Sequence, residues 1–444
     1  MNLINGKETI VMKMKSSNKL GIMLVVFLII IGVGFIIYNR IEAGNVEKRD
    51  KKKEKIVVDE DTNFDIRIIK EVNKDNQENY LISPYSIRRA LSMLAEGANN
   101  ETEKEILDLI GSNKNLITPV KKRINEANGI FIKNKYKKVV NKYFVDTIKE
   151  DYKGEVLFDK FEKPTIINEW VKKQTYEMIP KLLDNMSEDF VLGIANAIAI
   201  DVEWAEQFDC YATEKATFNK INNTTKKVAM MKQTYEYDAK YILGNGYKGV
   251  ILPYATYNED GEKDYKTDEH LEFVGILPDE NVNDFVDNLE DDFIDNFDKD
   301  AKKVDSMNQL ALSLPAFSYE YSLKDFKKVL ENLGIKDAFD EDKADFTYIV
   351  TEEQREKSGM NNIYVGEAIH KTFIDLSESG TKAAAVTYFG LNETAAFEER
   401  EEPKIIEIKF DKPFLYMIRD SKNKEILFFG VVYEPDQYKE RVCE

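Results

Sequence analysis

The chain has 444 residues, of which 43% are hydrophobic and 11% aromatic, so it can bury a sizeable core. Its net charge of −18 argues against nucleic acid, heparin-like polymers and anionic membrane surfaces as partners, because those ligands need clustered Lys and Arg. With two cysteines, Cys210 and Cys443, the chain has no disulfide framework, and a core of this size can do without one.

An apolar stretch near the N-terminus is the strongest targeting signal. Residues 20–38 read LGIMLVVFLIIIGVGFIIY, which is uncharged and long enough to span a bilayer as a helix. We predict an N-terminal tail over 1–19 and a transmembrane signal anchor over 20–38, with the remaining chain extracytoplasmic. Ala43 and Gly44 keep open the alternative of secretion after signal cleavage. Basic residues flank the stretch on both sides, so charge leaves its orientation open.

The charge-rich residues 39–60 lack a hydrophobic period and predict a solvated stalk. No second linker and no repeat follows. We therefore predict one domain over residues 61–437 and a short C-terminal tail over 438–444.

Within this domain, helical periodicity dominates early and strand-like runs dominate late. Helices are predicted at 86–94, after the start signal Ser83-Pro84, at 167–183, and at 323–333 before Gly334. Strands are predicted at 190–202, 247–253, 272–278, 405–410, 413–419 and 425–432. This distribution is typical of an α+β fold.

The residues on which enzymes commonly depend form no recognisable constellation. The chain has two histidines, His270 and His370, and lacks the motifs of serine hydrolases, zinc proteases, P-loop NTPases and dithiol oxidoreductases. The acidic stretch 287–300 lacks Ca²⁺-loop spacing and is interpreted as a solvated face. We expect no enzyme activity, no cofactor and no metal.

A series of phrases across the chain carries a resemblance to a known superfamily. Residues 79–106 read NYLISPYSIRRALSMLAEGANNETEKEI. INEWVKKQT begins at 167, ILPY at 251, SLPAF at 313, LGIKDAFDEDKADF at 333, AIHKTFIDLSESGTKAAAVT at 368 and FDKPFLYMIRD at 410. In this order, over residues 62–435, they resemble the serpins, the serine protease inhibitor superfamily. We expect a prokaryotic, membrane-anchored member.

The resemblance implies a metastable fold of three β-sheets and eight or nine helices, with an exposed reactive-centre loop at about 378–403. A target serine or cysteine protease cleaves such a loop and forms an acyl-enzyme. The loop then inserts into the main sheet as a new strand and traps the protease. The implied partner is therefore a protease, held covalently by a monomeric inhibitor. A non-inhibitory binding protein on the same scaffold is the alternative.

The stretch 378–387, ESGTKAAAVT, has the composition that loop insertion requires. The resemblance assigns the hinge to Glu378, Gly380, Thr381, Ala383, Ala384 and Ala385. Side chains in a strand alternate between faces, so Thr381, Ala383 and Ala385 are predicted to point inward and Lys382 to solvent. No proline occurs from 378 to 402, and proline would remove a ladder hydrogen bond. These features favour an inhibitor.

The bait bond, which is the peptide bond of the reactive-centre loop that the target protease cleaves, is located from the resemblance by counting residues along the chain. A spacing of about sixteen residues from Glu378 places it between Thr394 and Ala395, which suits an elastase-like or subtilisin-like protease. Arg400-Glu401 is the second choice and suits a trypsin-like or clostripain-like enzyme. Phe397-Glu398 is a further alternative.

Two further groups of residues are assigned to the main sheet by the resemblance. The predicted shutter beneath the sheet consists of Ser83, Ser86, Asn196 and His370. As a hydrogen-bonded set, it is expected to have a conformational role rather than an acid–base role. Trp204 is assigned to the breach.

Overall fold

The structure is a computed structural model that describes residues 63–74, 76–111, 124–175, 177–187, 190–257, 263, 271–381, 403–440 and 443, with no side chains for 124–127, 196, 197 and 199. The α-helices in these ranges are α1 Phe64–Asn73, α2 Pro84–Gly97, α3 Asn100–Ile110, α4 Lys142–Glu150, α5 Thr165–Gln174, α6 Val282–Asp287, α7 Phe293–Asp300, α8 Phe326–Asn332 and α9 Glu352–Lys357. The strands are β1 Tyr80–Ile82, β2 Ile124–Lys133, β3 Glu155–Asp159, β4 Leu192–Ile200, β5 Val202–Glu203, β6 Glu214–Asn219, β7 Thr225–Tyr235, β8 Lys240–Leu243, β9 Tyr247–Pro253, β10 Leu271–Pro278, β11 Lys302–Lys303, β12 Asn308–Pro315, β13 Phe317–Ser322, β14 Val365–Ala368, β15 Lys371–Leu376, β16 Gly380–Thr381, β17 Lys404–Lys409, β18 Phe414–Asp420 and β19 Ile426–Val432.

The described strands form four hydrogen-bonded sheets, two of which we describe together as the two parts of the main sheet. One has the order β1-β19-β18-β10-β9-β8-β11, and a second has the order β17-β12-β7-β6. The main sheet has two parts, β14-β4-β2-β3 and β13-β15-β16-β5. The chain run 365–376 joins them, because β14 and β15 are separated only by Ile369 and His370. The predicted α+β serpin fold is confirmed, and the described residues alone contain nine of its α-helices.

Helix α2 supports the main sheet from below. Its start is encoded locally, since the Ser83 hydroxyl oxygen accepts a hydrogen bond from the Ser86 N–H at 3.1 Å and Pro84 occupies the first turn. The buried face of α2 packs toward β4 and β14 around a small cavity. The helix that was predicted at 86–94 is therefore present and fixes the floor beneath the sheet.

Helix α5 ends at Gln174, earlier than the predicted 183. The Asn168 side chain accepts hydrogen bonds from the N–H groups of Leu182 and Leu183, at 2.7 and 2.9 Å. Its amide also donates to the Leu183 carbonyl at 2.8 Å. These contacts fold the following segment back against the helix, and a helical period alone cannot reveal such a tertiary contact.

The membrane prediction requires correction. The predicted tail 1–19, anchor 20–38 and stalk 39–60 lie outside the described residues. Among the helices that the structure describes, none is both long and apolar enough to cross a membrane. The longest of them, α2, has 14 residues, whereas a span needs about 20. This finding contradicts the predicted transmembrane signal anchor and the membrane-anchored localisation.

The two cysteines form a disulfide, so the expectation that the chain does without one is wrong. Cys210 and Cys443 are bonded, with their Cα atoms 5.8 Å apart, although 233 positions separate them in sequence. Cys210 opens a 3₁₀ turn, Cys210–Ala212, and Cys443 lies in the C-terminal tail. Such a long-range pairing leaves no signal in local sequence.

Candidate functional site

The hinge turn, residues 377–381, reverses the chain at the end of β15. Ser377 and Gly380 exchange backbone hydrogen bonds at 2.9 and 3.3 Å. The chain then enters β16, which pairs antiparallel with β15 through Leu376 and Thr381 and antiparallel with β5 on its other side. Residues 380 and 381 therefore already lie in a sheet, between two strands.

Gly380 is the residue that this turn requires. Its φ of +152° is rarely adopted by residues with a side chain. A Cβ atom at this position would lie 2.2 Å from the Val202 carbonyl oxygen and 2.6 Å from the Glu203 Cα. Because both obstacles belong to the backbone of β5, no side-chain rearrangement relieves the clash.

Residues 204–213, which we call the clasp, hold the hinge turn from one side. The Trp204 N–H donates to the Ser379 carbonyl at 3.0 Å, and its indole Nε1–H donates to the Ser377 carbonyl at 2.9 Å. Glu378 is bound twice, by the Phe208 N–H at its carbonyl (2.9 Å) and by the Thr213 hydroxyl at its carboxylate (2.8 Å). The assignment of Trp204 to the breach thus coincides with a contact to the hinge, whereas sequence reasoning missed the role of Thr213.

Thr381 faces inward and is hydrogen-bonded. It is 3% exposed, and its hydroxyl lies 2.7 Å from the Tyr254 hydroxyl. Tyr254 stacks on Trp204 with ring centroids 4.6 Å apart and planes 8° apart. Burial raises the pKa of Tyr254, so its hydroxyl stays protonated at neutral pH. Tyr254 carried no sequence signal for this contact, because it is 127 positions from its partner.

The predicted shutter is partly assembled in the described residues. The Ser83 N–H donates to His370 Nε2 at 3.0 Å, and Ser86 binds Ser83 at the start of α2. His370 is 3% exposed, and burial lowers its pKa from 6.5 to about 3. The imidazole is therefore neutral, as an acceptor nitrogen must be. Asn196 lies on β4 opposite Asn128, but its side chain is outside the described residues.

His370 lies where the two parts of the main sheet diverge. Below it, β14 pairs in parallel with β4 as far as Ala368 and Ile194. Above it, β15 pairs with β13 instead. Among the described strands, residues 195–200 of β4 are therefore paired on one side only, with β2. Within the described ranges, this part of β4 has no second strand partner between it and β15.

The remaining predicted loop residues lie outside the described residues. These are Lys382, Ala383, Ala384, Ala385, Thr394, Ala395, Phe397, Glu398, Arg400 and Glu401. The second histidine, His270, also lies outside them. The described chain resumes at Pro403, just before β17.

Comparison with known proteins identifies the family. The family described as Serpin (serine protease inhibitor) matches residues 59–435. The chain belongs to the serpin family. That family is named for inhibiting proteases rather than for a catalytic activity of its own.

The relatives span archaea and vertebrates. This serpin is 30% identical over 383 residues to an uncharacterized serpin-like protein of Methanosarcina mazei, covering 81% of the chain and 82% of the relative. It is 28% identical over 400 residues to the leukocyte elastase inhibitor of Xenopus laevis, covering 84% and 98%. The crystal structure of the thermophilic serpin tengpin in the native state matches with a TM-score of 0.69 at 30% identity, covering 85% and 96%.

Proposed function

We propose that this serpin inhibits a serine or cysteine endopeptidase as a suicide substrate. The cleaved reactive-centre loop inserts into the main sheet and traps the protease as an acyl-enzyme. The observation that carries the proposal is the position of β16, antiparallel to both β15 and β5. Residues 380 and 381 would thereby be the first two positions of an inserted strand that continues alongside β4.

The burial of Thr381 supports the predicted face assignment. With Thr381 directed inward, alternation sends Ala383 and Ala385 to the same buried face and Lys382 to solvent. Small uncharged side chains can enter the core there without leaving a charge unpaired. A loop of this composition is therefore compatible with insertion.

The energetic gain from insertion is large enough to be useful. A strand beside residues 195–200 of β4 and beside β15 would form about ten backbone hydrogen bonds. At about 0.5–1.5 kcal/mol net for each bond, insertion supplies on the order of 10 kcal/mol. Distorting a trapped protease is effective, because the loss of one oxyanion donor slows acyl transfer by about 10²–10³-fold.

The neutral shutter supports the same mechanism. Because His370 is neutral, parting the strands above it disturbs the hydrogen bond from the Ser83 N–H but leaves no buried charge unpaired. The Ser83 N–H and the hydroxyl groups nearby can exchange partners while strands part. We assign His370 this conformational role and no proton-transfer chemistry.

For the bait bond, we propose Thr394-Ala395 first and Arg400-Glu401 second. The test mixes the full chain with subtilisin-like, elastase-like, trypsin-like and papain-like proteases, followed by a denaturing gel and mass measurement of the released C-terminal peptide. An SDS-stable complex with a peptide that starts at Ala395 is expected. A peptide that starts at Glu401 would keep the mechanism and move the bait bond. Cleavage by every protease without a stable complex would overturn the inhibitor proposal in favour of a non-inhibitory scaffold.

A further inference from the structure

The described residues after β19 contact β13 and β7 and include a disulfide to the clasp. After β19, the Asp436 carboxylate accepts a hydrogen bond from the Ser318 N–H at 2.9 Å. The Tyr438 N–H then donates to the Lys227 carbonyl at 2.7 Å. Cys443 finally bonds to Cys210. The tail is therefore anchored to β13, to β7 and to the clasp in turn.

The position of Cys210 within the clasp connects the disulfide to the hydrogen bonds that hold the hinge turn. The 3₁₀ turn that Cys210 opens lies between Phe208 and Thr213, and these are the two residues that bind Glu378. The disulfide is thus attached between the two donors that hold the same hinge residue. A constraint on Cys210 restricts the motion of both donors together.

The clasp also sets the starting point for insertion. The hydrogen bonds to the carbonyls of Ser377, Glu378 and Ser379 fix the turn that presents Gly380 to β5. If the turn leaves the clasp, β16 loses its register against β5 and insertion must begin again from an unpaired loop. Insertion competes with hydrolysis of the acyl-enzyme, so a slower start means that more inhibitor is consumed as substrate.

We propose that the Cys210–Cys443 disulfide is a redox-controlled clamp on the hinge of the reactive-centre loop. In the oxidised form, the clasp holds the hinge turn ready for insertion. A dithiol reductant breaks the S–S bond through a mixed disulfide, transferring two electrons and two protons, so that two cysteine thiols form and the dithiol becomes a disulfide. Reduction releases the clasp and lowers the trapping efficiency. The effect on trapping depends on the proposed inhibitory function, but the release of the clasp does not.

The disulfide is placed where a reductant can reach it. Cys210 and Cys443 are both partly exposed, and the adjacent Tyr211 is 74% exposed. The site therefore combines access from solvent with direct covalent attachment to the hinge contacts. No other thiol can exchange with it, since these are the two cysteines of the chain.

The test compares the oxidised full chain with the same chain reduced by dithiothreitol and alkylated. Hydrogen–deuterium exchange is measured at the amides of Trp204 and Phe208, whose N–H groups bind the hinge turn. We expect reduction to accelerate exchange at both amides by about five- to tenfold, which is the factor that corresponds to the loss of one hydrogen bond of average strength. Amides of β10, in the seven-stranded sheet, serve as the reference and should not change. The ratio of inhibitor cleaved without trapping to inhibitor in the stable complex should rise by about the same factor.

Two sets of variants control the interpretation. The cysteine-free variant, with Cys210→Ser and Cys443→Ser, should match the reduced chain and should not respond to dithiothreitol. Thr213→Val keeps the disulfide but removes one hydrogen bond to Glu378, so it should accelerate exchange at the Phe208 amide, whereas Thr213→Ser should restore the slow exchange.

Equal exchange at Trp204 and Phe208 in the oxidised and reduced chains would overturn the clamp. An acceleration that extends equally to β10 would also overturn it, because it would indicate general destabilisation. If the oxidised chain traps no protease but the two amides respond, the inhibitor proposal fails and the clamp stands.

Discussion

Gly380→Ala is the sharpest perturbation of the hinge. The new Cβ would lie 2.2 Å from the Val202 carbonyl oxygen, and φ at this residue is +152°. Either the backbone accepts strain of about 1–3 kcal/mol, or β16 separates from β5 and loses its hydrogen bonds, at about 0.5–1.5 kcal/mol each. The Thr381–Tyr254 hydrogen bond is lost with them. Taken together, we expect a loss of about 2–4 kcal/mol in the free energy of unfolding.

The assay is equilibrium unfolding in urea, combined with the trapping gel. Gly366→Ala is the matched control, because its Cβ would meet its nearest atoms at 3.7 and 3.9 Å, which is ordinary contact. We expect Gly380→Ala to unfold at lower urea and to be cleaved more often without trapping, while Gly366→Ala behaves like the wild type. If Gly380→Ala matches Gly366→Ala in both measurements, the hinge turn seen in the structure does not matter for stability or for trapping.

Three further predictions address the same region. Thr381→Arg places a guanidinium where the native residue is 3% exposed, so we expect this variant to be cleaved without forming an SDS-stable complex. The control Thr381→Ser should still trap the protease. Efficient trapping by Thr381→Arg would refute the assignment of Thr381 to the inward face. Because burial lowers the pKa of His370 from 6.5 to about 3, the stability that depends on the neutral ring is complete above pH 6.5 and is lost as the pH falls toward 3. Between about pH 7.5 and pH 4.5, the free energy of urea unfolding of the wild type should therefore fall by about 2–3 kcal/mol more than that of His370→Gln. Parallel pH profiles of the two proteins would contradict a buried neutral histidine. Tyr254→Phe keeps the stack on Trp204 but leaves the buried Thr381 hydroxyl without this partner, at a cost of about 1–2 kcal/mol; a cycle with Thr381→Val should show that the two costs are not additive.

Local sequence was sufficient for the elements that depend on periodicity and capping. Ser83-Pro84 marks the start of α2, and Gly334, with φ of +118°, follows the end of α8 where a left-handed residue is favoured. The continuous apolar runs of β18 and β19 are buried along their whole length. These signals lie within a few residues of the structure they specify, so the sequence displays them directly.

The acidic stretch 287–300 shows the limit of that approach. Most of its acidic side chains are exposed, in agreement with a solvated face, but Asp298 forms an ion pair with Arg419 at 2.6 Å. Arg419 is fully buried and also pairs with Glu272 at 3.0 Å. Arg419 lies 121 positions away in sequence, so composition alone cannot show that Asp298 pairs with a buried arginine.

The amino-acid sequence by itself determined the α+β class, the serpin resemblance and the run of small residues after Gly380, because each can be recognised from residue patterns along the chain. The tertiary structure alone decided what holds that hinge. Trp204 reaches Ser377 across 173 positions, Thr213 reaches Glu378 across 165, and Cys210 reaches Cys443 across 233. Hydrogen bonds and disulfides act over a few ångströms in space regardless of separation along the chain, so these contacts exist only once the sheets have brought their residues together.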